Sequence, residues 1–470
     1  NKGEGGILAL MALSLRSDKH TGMRRTLALS AAVCGAALFY GDAILTPSIS
    51  VLSAVEGLSV IEPSLADMVV PVAIVILIAL FAIQALGTRL IGLAAGPIMV
   101  VYFVTIAILG LTHISDTPSV MLAVNPIYAA LFVIEHPYIG FVTLGAVFLA
   151  VTGAEAVYAD MGHYGGPAIR LAWFCLVFPC LILNYFGQGA MVLAKPETLT
   201  NPFFLMAPEW ALVPLVILAT LATVIASQAM ISGAFSLTRQ AIQLGMLPRM
   251  HVSHTSASER GQIYIPTVNW ALMIAVALVV FNFKTSESLA NAYGIAVSGT
   301  MICTSILAYL AIRNFWGWSR IKTLLVLSPL AAIDALFFVA NALKVIHGGW
   351  LPLLVALGLV VIIWTWRSGR RILTGLRREH DIPIADFIAS IASSSVHRIK
   401  TTAVFMVAEE AATPTALLHN LKHNQVLHAR NVLVTVVTED IPRVARASQI
   451  EEEHLGANFW RVRIHYGFME

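Results

Sequence analysis

Ten stretches of this sequence, each close to twenty residues or longer and almost free of charge, decide what the chain can become. They fall at roughly 26–55, 67–87, 90–112, 139–160, 167–193, 210–238, 266–282, 288–312, 321–343 and 350–366. A helix rising about 1.5 Å per residue needs about twenty apolar residues to cross a hydrocarbon core of about 30 Å. Of the 470 residues, 58% are hydrophobic and 12% are charged, against about 25% charged in soluble domains. So little charge cannot cover a water-facing surface. An ordinary soluble enzyme, a disordered chain and a nucleic-acid binder are excluded, and an all-α polytopic membrane protein is expected. Cys34, Cys175, Cys180 and Cys303 lie in apolar runs without a CxxC pair. They read as small buried residues rather than metal or redox groups.

The connections between these stretches orient the chain. Eighteen Lys and Arg fall on one side, among them Arg24, Arg25, Arg89, Arg170, Arg239, Arg313 and Arg367, against Lys195, Lys284 and Lys344 on the other. The bias alternates at every span, so residues 1–25 and 367–470 are expected to be cytoplasmic. The acidic connection with Glu56, Glu62 and Asp67, and a Lys/Arg-free loop over 113–138, then lie outside. Three regions follow: a cytoplasmic connection 1–25, a transmembrane transport domain 26–366 and a cytoplasmic domain 367–470. In the last, 432–437 and 459–464 read as strands and 416–426 as a helix, the start of a soluble α/β domain.

Carboxylates inside the spans need a reason, because one near a helix centre costs about 2.5–3.5 kcal/mol on insertion scales. Asp42, Thr46 and Ser50 follow at i, i+4 and i+8, a spacing that lines one helix face with oxygens. Pro47 has no N–H and frees the carbonyl of Ala43. A carboxylate, two hydroxyls and a loose carbonyl suit a dehydrated alkali cation. The competing reading is a kinked helix whose hydroxyls bond to their own backbone. Thr152, Glu155 and Tyr158 are likewise spaced to share a face, with Gly153 interrupting the span. A broken helix exposes carbonyls for ions, and a protonatable carboxylate can relay protons; the alternative for Glu155 is a structural hydrogen bond. Asp160 lies nearer the cytoplasmic end as a cap or gate, and Asp334 stands alone in the ninth span as a peripheral candidate. Asn184, Gln188, Gln228, Ser232, Asn291 and Tyr293 read as interhelical hydrogen-bonding groups. The sequence has no P-loop, no GxGxxG opening a helix after a strand and no Walker acid. Energy is therefore expected from an ion gradient or the membrane potential, and no cofactor is expected.

Several runs resemble the bacterial branch of the Kup (HAK/KT/KUP) potassium uptake permeases. They are 1–13, Tyr40-Gly-Asp-Ala-Ile-Leu-Thr-Pro-Ser-Ile-Ser-Val-Leu-Ser-Ala-Val-Glu-Gly57, Thr152-Gly-Ala-Glu-Ala-Val-Tyr-Ala-Asp-Met-Gly-His163, Asn184-Tyr-Phe-Gly-Gln-Gly-Ala190, 201–204, 225–241, 261–266, Asn291-Ala-Tyr-Gly-Ile-Ala296 and Leu417-Leu-His-Asn-Leu-Lys-His-Asn424. The resemblance implies a twelve-span domain with a LeuT-like core of the amino acid–polyamine–cation superfamily, a cytoplasmic domain behind it, and K⁺ uptake by K⁺:H⁺ symport with alternating access. It puts K⁺ at Asp42, Thr46 and Thr152, with Ser50 and Glu155 completing the cation site. Proton coupling falls to Glu155, Asp42 and Asp334, and Tyr40, Tyr158 and Asp160 are secondary candidates. The expected setting is the bacterial inner (plasma) membrane. The expected partners are the lipid bilayer, K⁺ and protons, with a homodimer through the cytoplasmic domain as a candidate assembly and no nucleic acid. The Gly-Asp-Ile-Gly-Thr-Ser-Pro-Leu-Tyr run of the family's first span has no counterpart here. The expectation is that ten of twelve spans are present and that the soluble domain is cut short at Glu470. An amino-acid or polyamine permease of the same fold and a proton-uncoupled K⁺ uniporter stand as alternatives. A K⁺ channel would want a Thr-Val-Gly-Tyr-Gly filter, which is absent.

Overall fold

Backbone N–H and C=O groups find no water inside a bilayer, so an apolar stretch there must satisfy them within itself, as a helix does. The computed structural model describes residues 5–15, 22–86, 89–150, 152–153, 156–158, 165–255, 262–378, 382–407, 411–439 and 443–467. A short helix α1 (Ile7–Ser14) precedes α2 (Met23–Val55), α3 (Val69–Ile83, entered by a 3-10 turn from Pro63) and α4 (Arg89–Ile114). After α5 (Pro126–Glu135) and α6 (Pro137–Ala150) come α7 (Gly166–Ala194), α8 (Glu209–Gln243), α9 (Pro266–Phe283), α10 (Ser286–Phe315), α11 (Arg320–Ala342) and α12 (Trp350–Arg378). A two-residue antiparallel pair, β1 (Ser253–His254) with β2 (Ile263–Tyr264), lies between α8 and α9.

Nine of these helices, rather than the ten expected, are long and apolar enough to cross a membrane among the described residues. The difference is the stretch 139–160, where the helix ends at Ala150 and Thr152 and Gly153 are not helical. The loop expected over 113–138 is also helical. A 3-10 segment, Pro118–Val124, turns by 85° into α5. Pro126 opens α5, and Asn125 Oδ1 accepts from Ile127 N at 3.1 Å, the usual N-cap geometry. Ten residues rise only about 15 Å, half of a bilayer core. The absence of Lys and Arg there reflects an apolar surface rather than a solvated loop.

Within the membrane-spanning unit, formed by Asn1–Thr255 and Gly261–Trp364, α2 is the central element and packs on α10, α8, α9, α3 and α1. Its small residues, Ala32, Ala36, Ala37 and Ala43, are buried and let neighbours approach closely. α4 and α7 cross in close backbone contact. A Cβ on Gly187 would lie 2.3 Å from Gly110 Cα, and one on Gly110 would lie 2.3 Å from the Leu183 carbonyl oxygen. Beside it Asn184 Nδ2 donates to the Ile106 carbonyl at 3.2 Å and Gln188 Nε2 donates to Asn184 Oδ1 at 2.6 Å. Glu56, expected in an external connection, receives the Ser286 amide at 2.7 Å and the Ser286 hydroxyl. It thereby places a carboxylate at the positive end of α10.

A second compact unit holds Thr365–Glu470. Its sheet has the order β3 (His397–Met406), β4 (Val426–Glu439), β6 (Phe459–Gly467), β5 (Ile450–Gly456). The pairs β3–β4 and β4–β6 are parallel and β5–β6 antiparallel. α13 (Ile384–Ala392) and α14 (Thr415–Asn424) supply Phe387, Ile391 and Leu417 to a core with Leu427, Leu433 and Phe459. The helix expected over 416–426 stops at Asn424, because Gln425 is left-handed (φ 57°) and β4 begins at Val426. β3 and β5 escape a reading by apolar alternation. The Glu451–Glu453 run forms a strand because Arg463 and Arg461 stand opposite it, pairing with Glu451 at 3.0 Å and Glu453 at 2.9 Å.

Candidate functional site

α2, α7, α8 and α10, with the chain after α6, line an open cavity of about 390 Å³. Asp42 and Thr46 from α2 line it, with Gly153, Ala156, Ile169, Ala226, Ala229, Met230 and Tyr293. Asp42 is 1% exposed. Thr46 Oγ1 donates to Asp42 Oδ1 at 2.6 Å. Four residues advance a helix by about 400°, which leaves the two side chains about 40° apart on one face. The Thr46 hydroxyl is thus turned to the carboxylate, not to its own backbone. Ser48 makes the backbone bond instead, donating to the Ile44 carbonyl at 2.7 Å. α2 runs helically through Pro47, which offers no N–H to the Ala43 carbonyl.

The other expected ligands are distributed differently. Ser50 is half-buried and is not among the residues lining the cavity. Eight residues advance the helix by about 800°, turning Ser50 about 80° from Asp42. Thr152 donates to the Leu149 carbonyl at 3.0 Å and closes the end of α6. Gly153 adopts φ 111°, a conformation costly for any residue with a Cβ. The helical phase is lost there, so Thr152 and Tyr158 do not share one helix face. Tyr158 lines a second cavity, together with Asp334. Asp334 is not isolated: it is 7% exposed and accepts from Ser305 Oγ on α10 at 2.6 Å. Tyr40 is buried, and its hydroxyl bonds Thr238 Oγ1, which donates in turn to the Ala234 carbonyl at 2.7 Å. It braces α2 on α8 and lines neither cavity. Glu155 and Asp160 lie outside the described residues.

A buried carboxylate with a donated hydroxyl, facing a cavity beside non-helical backbone, can replace the water of a small cation. Residues 1–371 match the family described as the K⁺ potassium transporter integral membrane domain, and residues 400–470 match the K⁺ potassium transporter C-terminal domain. The chain belongs to this potassium transporter family. It is 51% identical to the probable potassium transport system protein Kup 2 of Rhodopseudomonas palustris, over all of this chain and 74% of that protein. It is 51% identical to the corresponding Kup protein of Pseudomonas syringae pv. tomato and 52% identical to that of Cupriavidus pinatubonensis, again over all of this chain and 74% of each relative. The chain is therefore a Kup-type potassium transporter, a multi-pass plasma-membrane protein and not an enzyme, with K⁺ as its substrate.

Tyr293 was legible in this transporter's sequence only as interhelical glue, yet it lines the Asp42 cavity. Its place in the Asn291-Ala-Tyr-Gly-Ile-Ala296 run is the signal that could have raised it. Ser236 and Gln240, in the 225–241 run, line the second cavity without having been singled out.

Proposed function

We propose that this transporter imports K⁺ together with protons by alternating access, on a LeuT-like helical core. In this reading residues 26–366 form the transport domain, and 1–25 and 367–470 are cytoplasmic. Asp42 and Thr46 hold the ion with carbonyls at the Gly153 break. Ser50 and Thr152 supply further oxygens as the site rearranges. One observation carries the proposal: the Asp42 carboxylate, withdrawn from solvent and bonded by Thr46, faces the same cavity as Gly153.

Coupling follows from charge. A site with two carboxylates, Asp42 and Glu155, is neutral when it holds one K⁺ and one proton. With either cation alone it keeps a net charge in the bilayer, at about 2.5–3.5 kcal/mol on insertion scales. Movement of one bundle against the other is then favoured when both cations are bound. Glu155→Gln tests this, because it keeps the shape and removes the proton site. K⁺-driven proton movement is expected to vanish while membrane insertion stays normal. Proton-coupled uptake at the wild-type rate would contradict the assignment.

A further inference from the structure

Two cavities lie in line along the same three helices. The inner one, about 280 Å³, takes Phe39 from α2, Ser236 and Gln240 from α8, Thr304 and Ser305 from α10, and Asp334 from α11. On each shared helix it sits closer to the arginine-bearing cytoplasmic end. On α2 the order inward is Asp42 then Phe39; on α8, Met230 then Ser236 and Gln240; on α10, Tyr293 then Thr304. On α8 the inner wall begins at Gly233, three residues from Met230, and its side-chain oxygens at Ser236 and Gln240 lie six and ten residues from Met230, or about 9–15 Å at about 1.5 Å per residue.

The inner wall presents oxygens with spare capacity. Asp334 is buried and holds the Ser305 hydroxyl. Ser236 and Gln240 are 6% and 8% exposed, and among the described residues neither Ser236 Oγ nor Gln240 Oε1 has a hydrogen-bond partner. The Gln240 amide is fixed the right way round, because its Nε2 donates to the Gly5 carbonyl at 3.2 Å. Buried oxygens without donors are rare unless something else satisfies them. An anion would be repelled by Asp334. A divalent ion would want more than one carboxylate. A proton alone would need only Asp334 and Ser305. We infer that the inner cavity is a second K⁺ station, holding a partly hydrated ion between Asp334, Ser305, Ser236 and Gln240 on its way to the cytoplasm. This deepens the reading of Asp42 as the outer station. Two unit charges about 12 Å apart weaken each other's binding about tenfold at an effective dielectric constant near 20, which favours release inward.

The test is equilibrium binding of radioactive Rb⁺ to the purified protein in lipid nanodiscs. The wild type is expected to bind two Rb⁺ per chain, the second about tenfold more weakly. Ser236→Ala with Gln240→Leu is expected to lose the weaker ion and keep the tighter one. Asp334→Asn, which preserves shape, is expected to do the same and decides the matter if the double variant melts early. One Rb⁺ on the wild type, or two on both inner variants, would overturn the proposal. If Asp42→Asn retains both ions while the inner variants lose one, the outer assignment fails and the inner station stands.

Discussion

Asp42→Asn isolates the charge of the outer site, because the two side chains share a shape. The carboxylate is 1% exposed and accepts from Thr46 at 2.6 Å. An Asn oxygen can accept the same bond, so packing and the Thr46 rotamer are retained. With Glu155 holding the coupling proton, K⁺ then keeps its own charge uncompensated inside the bilayer. That costs about 2.5–3.5 kcal/mol on insertion scales. At about 1.4 kcal/mol per tenfold, apparent K⁺ affinity is expected to fall roughly 60- to 300-fold. The assay is initial K⁺ uptake against external K⁺ in cells stripped of other K⁺ importers, with inserted protein quantified. Asp42→Glu, which keeps the charge, should lose far less. A wild-type KM for the inserted Asn variant would refute the reasoning.

Three further outcomes are expected. Gly187→Ala forces α4 and α7 apart at the Gly110 contact and should destabilise the protein by about 1–3 kcal/mol; an unchanged melting temperature in detergent would show that the crossing can relax. Gly153→Ala meets no atom within 4 Å, so its effect is backbone strain of about 1–2 kcal/mol. Uptake should slow while the amount of folded protein holds, and normal uptake would mean that the φ 111° conformation is dispensable. Glu56→Gln keeps an oxygen for the Ser286 amide and an NH2 that can donate to the Ser286 hydroxyl, but removes the charge at the start of α10, at a cost of about 0.3–2 kcal/mol. Its melting temperature should fall more at low salt than at high salt, and a salt-independent change would rule out the dipole explanation.

Much of the fold was legible because bilayer physics leaves so few choices. Charge-free windows marked α2, α3, α4 and α7 to α11 to within a few residues, and the start of α12, which runs on from the expected end at 366 to Arg378. The failures share a cause. At 113–138 an apolar sequence forms short helices where a loop was expected, and after Pro137 the helix ends at Ala150, next to the interruption expected at Gly153; hydrophobicity alone does not tell a full span from half of one. Of the site, the pairing of Asp42 with Thr46 was readable, since it depends on one helical turn. Ser50 lies off the cavity wall because the drift of a helix over eight residues is about 80°. Thr152 and Tyr158 part company because a glycine at positive φ between them resets the phase. Asp334 looked solitary because its partner Ser305 belongs to a different helix, and no local spacing encodes that contact.

The most direct test of the central claim is proton flux into proteoliposomes bearing the transporter, driven by an imposed K⁺ gradient with the membrane potential clamped. Acidification of the lumen that requires K⁺ and disappears in Glu155→Gln is the predicted result. K⁺ movement that proceeds equally with and without a proton response would contradict it, leaving Asp42 as a cation ligand in an uncoupled K⁺ pathway.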